Sequence, residues 1–232
     1  MPDHEQIYAR EADMYEQLVA REDRERQLER TLHSIVPELA GLDVADIGAG
    51  TGRLACMLAP LVRSVVAIDR SPAMLEVAQR RLGGTGFSNW VVRTGEHHRL
   101  PAADASVDLV TAGWTICYEA SASLPEWKLR LEAILREARR ITRPGGLMII
   151  FETFGTGCEQ PNPPEFLTAY YRELEQTYGF DHTWIRTDLQ FESVEEAERL
   201  CRFFFGDELA EDVRVKGSPI VPECTGVWWK RL

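Results

Sequence analysis

The sequence predicts an α/β fold, a doubly wound and mostly parallel sheet with a ligand at its carboxyl edge. Short apolar runs at 44–47, 65–68, 107–110 and 147–151 read as strands buried on both faces. Apolar positions at helical spacing fall between them, as at Leu54, Ala55, Leu58 and Leu61. That order is expected of strand–crossover–strand units. A third observation marks the ligand edge, since Gly48, Gly50 and Gly52 stand where the first strand ends and a helix begins. Glycines there let backbone approach a ligand that any Cβ would block. Open α/β sheets hold nucleotide-like ligands at such a turn.

The residues around the turn select among ligands. A dinucleotide fingerprint would need its third glycine at Arg53, and a phosphate loop would need a lysine after Gly52. The chain instead reads Asp46-x-Gly48-x-Gly50-x-Gly52. A carboxylate facing the turn repels a pyrophosphate and suits an ammonium or sulfonium. This stretch closely resembles the class I S-adenosylmethionine-dependent methyltransferases, in particular their type 11, UbiE-like small-molecule group. The likeness runs over 44–150. It implies a Rossmann-like methyltransferase fold with a seven-stranded sheet, an N-terminal helical lid and a helical insertion after strand five. It also implies S-adenosylmethionine as cofactor and S-adenosylhomocysteine as product. The whole chain, 1–232, is then one domain: lid 1–40, cofactor-binding core 41–151, substrate-side insertion and sheet edge 152–232.

Composition agrees with a globular enzyme of small molecules. Hydrophobic residues make 44% of the 232, enough for a sizeable core. A net charge of −11 argues against a nucleic-acid partner, which needs a basic face. Five scattered cysteines form no Cys-x-x-Cys pair, so neither a metal site nor a disulfide framework is expected, and reduced thiols suit a cytoplasmic protein. No apolar run is long enough to span a membrane, and the acidic N-terminus is no signal peptide. A monomer or homodimer is expected.

Taken in order, residues 3–36 suggest one or two amphipathic helices through Ile7, Leu18, Leu28, Leu32 and Ile35. The resemblance implies a lid over the cofactor that contributes a tyrosine, Tyr15 first and Tyr8 second; packing on the domain's flank is the alternative. The second strand ends at Asp69, whose two oxygens suit a pair of ribose hydroxyls, although a solvated strand-end carboxylate would look the same. Ser71-Pro72 then caps and starts a helix through Met74 and Leu75. The resemblance adds Ala49, Arg70 and Met74 to the cofactor set. It also gives Glu96, after the strand at 90–92, the adenine amino group, and the amide of His97 a ring nitrogen. Glu96 stands where Asp is usual. His97 and His98 are adjacent with no further ligand near, so no metal is expected.

The fourth strand runs out into 111–118, beside the first across the switch point. Small residues at Ala112 and Gly113 would admit carbonyls to the methionine ammonium. Trp114, Cys117 and Tyr118 would wall the adenine or the substrate, or simply fill core. A helix is expected from Leu124-Pro125 to Ile141, ended by Arg143-Pro144-Gly145-Gly146, another match to the family. Beyond Glu152 the likeness thins. Residues 164–178 read as a helix, 183–191 as a strand, and Ser193-x-x-Glu196 as a capping box opening a helix through Phe205. Residues 213–216 read as a weak strand or loop, and 226–230 as the last strand. Asn162-Pro163-Pro164 is similar to the signature of methyltransferases of nucleobases or glutamine, but it follows strand five, not strand four, and Glu165 succeeds it. That specificity is rejected.

Methyl transfer needs mainly alignment and exclusion of water. A base is optional, with Glu152, His98 and Tyr118 as candidates in that order; Glu152 serves equally well as a structural acceptor. The expected function is methyl transfer to a small, at least partly apolar acceptor. A nicotinamide dehydrogenase is disfavoured by Arg53. A binding protein, or a non-methylating S-adenosylmethionine enzyme, is the remaining alternative.

Overall fold

The computed structural model describes residues 3–232. Its main sheet has seven strands: β1 (Asp43–Ile47), β2 (Ser64–Asp69), β3 (Trp90–Thr94), β4 (Val107–Gly113), β5 (Thr142–Thr156), β6 (Asp181–Arg186) and β9 (Glu223–Arg231). They lie in the order β3-β2-β1-β4-β5-β9-β6. The first five run parallel, whereas β9 is antiparallel to both of its neighbours. The order reverses between β1 and β4, so their carboxyl ends open a crevice. Two short strands, β7 (Leu189–Gln190) and β8 (Ile220–Val221), form a separate ribbon.

Strand alternation sorts the core into two layers. Val44, Leu109, Leu147, Ile149 and Phe151 pack with Leu28 and Leu32 of α3 (Gln27–Ile35), with α4 (Arg53–Leu58) and with Leu82 of α5 (Pro72–Gly84). Ala45, Ile47, Val110, Ala112, Met148 and Ile150 face the other way. They pack under α6 (Trp127–Ile141) and α7 (Glu165–Gln176) through Leu131, Ile134, Tyr170 and Leu174. Burying about 20 such side chains, at 1.5–3 kcal/mol each, is what offsets the ordering of the sheet. A third cluster joins Leu18 of α2 (Ala12–Val19) to α8 (Val194–Phe204) and α9 (Asp207–Lys216). Ala12, with the rings of Tyr8 and Tyr15, packs on Met74 and Val77 of α5; Tyr8 belongs to α1 (His4–Arg10).

Several expectations are corrected. The N-terminal region holds three helices, not one or two. Residues 213–216 are helical, the end of α9, because acidic residues fill its first turn and Gly217 closes it at φ 59°. The strand expected over 183–191 is split, since its last residues leave β6 for the ribbon. The helix expected at Leu124 begins at Trp127, after Glu126 at φ 55°. In the Arg143–Gly146 turn only Gly145 uses positive φ; a Cβ on Gly146 would stand 2.7 Å from the Asp108 carbonyl.

Candidate functional site

Asp46 is almost fully buried at the end of β1. One of its oxygens accepts from the Thr111 hydroxyl at 2.9 Å, the other from the Ala55 amide at 3.1 Å. Ala55 lies in the first turn of α4, so the carboxylate completes that helix end and fixes it against the sheet. Burial pushes the acid up to about 7, against the pull of both hydrogen bonds and with a further push from Asp69.

The turn that follows is a left-handed backbone path. Gly48 sits at φ 64°, and a Cβ there would fall 1.9 Å from Thr115 Oγ1. Gly50, at φ 54°, lines the crevice and has nothing within 4 Å of where its Cβ would be. Its amide donates to Asp69 at 2.8 Å. The second Asp69 oxygen accepts from the Ser71 amide at 2.8 Å, and the Ser71 side chain caps α5. Two backbone donors thus hold the carboxylate, which lines the crevice with lone pairs to spare.

The opposite wall comes from β4 and beyond. Gly113 stands close to α4, where a Cβ would meet Leu54 at 2.9 Å. Trp114 takes φ 49°, an uncommon value for a bulky residue, and its amide is tied to the Phe151 carbonyl at 2.6 Å. Its ring lies 4.2 Å under the Arg53 guanidinium, which also pairs with Glu22 at 2.7 Å. Thr115 meets the His97 ring at 3.0 Å, and burial lowers the affinity of that imidazole for a proton. Over the mouth, the Ser71 hydroxyl holds the Tyr8 carbonyl at 2.8 Å, and the Tyr8 hydroxyl donates to Tyr118 at 2.6 Å.

Of the cofactor residues expected from sequence, Tyr15, Asp46, Gly48, Ala49, Gly50, Asp69, Arg70, Met74, His97, Gly113 and Trp114 line this one crevice. Three do not. Gly52 packs on Ala78, Ala112 faces the opposite layer under α6 and α7, and Glu96 is exposed in a bridge with Arg99. Among the base candidates, His98 is exposed and lines neither cavity. Glu152 is fully buried beneath α7, where it accepts from the Cys117 amide at 2.9 Å and the Tyr170 hydroxyl at 3.4 Å. It too lies outside both cavities, on the face that β5 shares with Met148 and Ile150. Tyr118 alone of the three reaches the crevice. Arg53, Ser71, Thr115 and Glu119 also line the crevice, beyond the residues that the sequence assigns to the cofactor. Arg53 carries a signal as the residue in place of a third glycine and Ser71 as a helix cap, but neither signal marks a ligand contact.

A second cavity of about 650 Å³ adjoins the first and shares with it Tyr8, Tyr15, Val19, Arg53, Trp114 and Tyr118. Its further walls come from α7, α8, α9 and β9. Its volume is that of a small-molecule site.

A doubly wound sheet whose switch-point turn faces two carboxylates is that of a Rossmann-like protein binding a cationic nucleoside. The chain belongs to the class I S-adenosylmethionine-dependent methyltransferases. Residues 45–150 match the family model described as a methyltransferase domain. The demethylmenaquinone methyltransferase of Geobacillus kaustophilus is 30% identical over 187 residues, 76% of this chain and 70% of that protein. The ubiquinone/menaquinone biosynthesis C-methyltransferase UbiE of Rubrivivax gelatinosus is 35% identical over 113 residues, 49% of this chain and 40% of the relative. The chain spans about half the length of most curated relatives it matches. A crystal structure of an S-adenosylmethionine-dependent methyltransferase from Aquifex aeolicus shares the fold, with a TM-score of 0.54 and 18% identity over 98% of this chain and 93% of that one. The family's cofactor is S-adenosylmethionine. The open side of Gly50 and the acids Asp46 and Asp69 fit its size-demanding, cationic chemistry.

Proposed function

We propose that the protein transfers the methyl group of S-adenosylmethionine to a small-molecule acceptor and releases S-adenosylhomocysteine. The observation that carries this reading is Asp69, held by the Gly50 and Ser71 amides at the crevice edge. Asp69 would take the ribose hydroxyls, and Ala49, Arg70, Met74 and His97 the nucleoside. Asp46, Gly48 and Gly50 would meet the amino-acid end, with Gly113 and Trp114 behind it and Tyr15 closing over the top. When bound, the sulfonium supplies an electrophilic methyl group. The chain's own part is to orient the acceptor in the adjoining cavity and to keep water out with the tyrosine-bearing lid.

No strong base at the crevice is required in this reading. Burial raises the Tyr8 and Tyr118 hydroxyls well above their ordinary range, so both stay neutral at physiological pH and act as hydrogen-bonding walls. The protein acts in the cytoplasm as a monomer or homodimer, without nucleic acid. Five free cysteines support the cytoplasm and a net charge of −11 the lack of a nucleic-acid partner; among the described residues no helix is long and apolar enough to cross a membrane. Isothermal titration with S-adenosylhomocysteine, followed by transfer of labelled methyl from S-adenosylmethionine, tests the reading. Absence of binding heat with either ligand overturns it. Binding without transfer to any acceptor leaves a non-methylating enzyme or a binding protein.

A further inference from the structure

The second cavity is apolar along most of its length, with walls such as Leu18, Leu167, Leu189, Phe205 and Leu209. Its charged side chains are four acids and one arginine, set among neutral hydroxyls and amides such as Tyr118, Thr156 and Asn162. Glu208 and Asp212 stand exposed on α9, Glu223 lies buried in its wall, and Glu22 is partly buried there. Arg53 is the only Lys or Arg among the lining residues, and Glu22 already engages it at 2.7 Å.

Glu223 sets the character of the site. It is 4% exposed. One oxygen accepts from Thr153 at 2.9 Å, while the other has no partner at all. An unpaired ionised carboxylate in that position costs several kcal/mol, so the group stays protonated until a counter-charge arrives. Burial and the nearby Glu22 both push it in that direction. Arg53 opposes them but is held by Glu22. Asp188, Tyr171, Cys201 and Cys224 are further titratable neighbours, none of them positive, and the nearby Arg186 is paired with Asp188 at 2.7 Å. The apolar walls include the rings of Tyr8, Tyr118 and Phe204, whose faces favour a cation over an anion.

We infer that this cavity takes an apolar molecule bearing a basic amine, with the ammonium seated towards Glu22 and Glu223. The inference rests on the methyltransferase reading above and names the class of acceptor for it. The exposed acids draw the cation in, Glu22 and Glu223 fix it, and the apolar walls accept its body.

The test is isothermal titration of the full chain, saturated with S-adenosylhomocysteine, at pH 7. The probes are n-octylamine, 1-octanol and octanoate, equal in apolar length and different in head group. Octylamine should bind about tenfold or more tighter than 1-octanol, with octanoate weakest. Titrations in buffers of different ionisation enthalpy should show proton release, up to about one per amine, as Glu223 ionises. Glu223→Gln should abolish that release and cut the amine preference to about threefold or less. Should that variant fail to fold, the paired exposed changes Glu208→Gln and Asp212→Asn should slow octylamine association at low salt. Equal binding of amine and alcohol, or amine binding without proton release, overturns the inference while cofactor binding still supports methyl transfer. Loss of S-adenosylhomocysteine binding itself removes the underlying reading, and the inference with it.

Discussion

The Gly50 amide donates to Asp69 at 2.8 Å, so the glycine turn after β1 and the acid at the end of β2 are one unit. The bond explains why a carboxylate can sit with its free lone pairs towards a ligand: backbone, not a side-chain cation, fixes it. Asp69→Ala should therefore do two things. It removes the proposed acceptor of two ribose hydroxyls, which should cost about 2–4 kcal/mol of S-adenosylmethionine affinity. It also frees the Gly50 amide, so the turn loses its brace. Asp69→Asn keeps one acceptor and should lose about half as much. Titration calorimetry of both variants checks this, and wild-type affinity in Asp69→Ala would refute the assignment.

This unit was legible in the sequence because all its signals are local. A strand end, three glycines and an acid at the next strand end need no long-range information. Choosing between Ala112 and Gly113 needed strand phase: Gly113 stands against Leu54, while Ala112 points into the opposite layer. The short run Val213-Arg214-Val215-Lys216 alternates like a strand, but its charges complement the end of a helix dipole. Glu22 and Glu223 were illegible for a different reason. They are 201 positions apart, and only the fold brings both to Arg53's cavity.

Glu152 offers a pH signature that separates structural acid from catalytic base. Burial pushes it up to about 7, against the pull of the Cys117 and Tyr170 hydrogen bonds. Between its ordinary 4.5 and that value the folded chain holds a proton the unfolded chain has released. Stability therefore falls as pH rises through this window, by roughly 3 kcal/mol in all, and is flat with respect to this group above it. Glu152→Gln keeps an oxygen for the Cys117 amide and cannot ionise. Urea unfolding at pH 5 and pH 8 should show the variant gaining on wild type by most of that amount. Methyl transfer should persist within about fivefold, since the group lines neither cavity. A loss of a hundredfold or more would restore Glu152 as a base.

Arg53 joins the cofactor crevice to the second cavity, stacked on Trp114 and paired with Glu22. Both charged side chains are mostly buried, at 17% and 10% exposure, so the pair is sheltered from the screening that makes surface pairs weak. Arg53→Met strands Glu22 beside Glu223 and should destabilise the fold by about 3 kcal/mol. Glu22→Gln in that background removes the stranded charge and should return at least half of the loss. If both single changes and the double change instead add within about 0.5 kcal/mol in a denaturant cycle, the two residues are energetically independent. A coupling of about 2 kcal/mol would show that the pair acts as one unit in the wall between the two cavities. In that case Arg53→Met should weaken S-adenosylhomocysteine as well, because Trp114, left without its cation at φ 49°, is free to relax into the crevice.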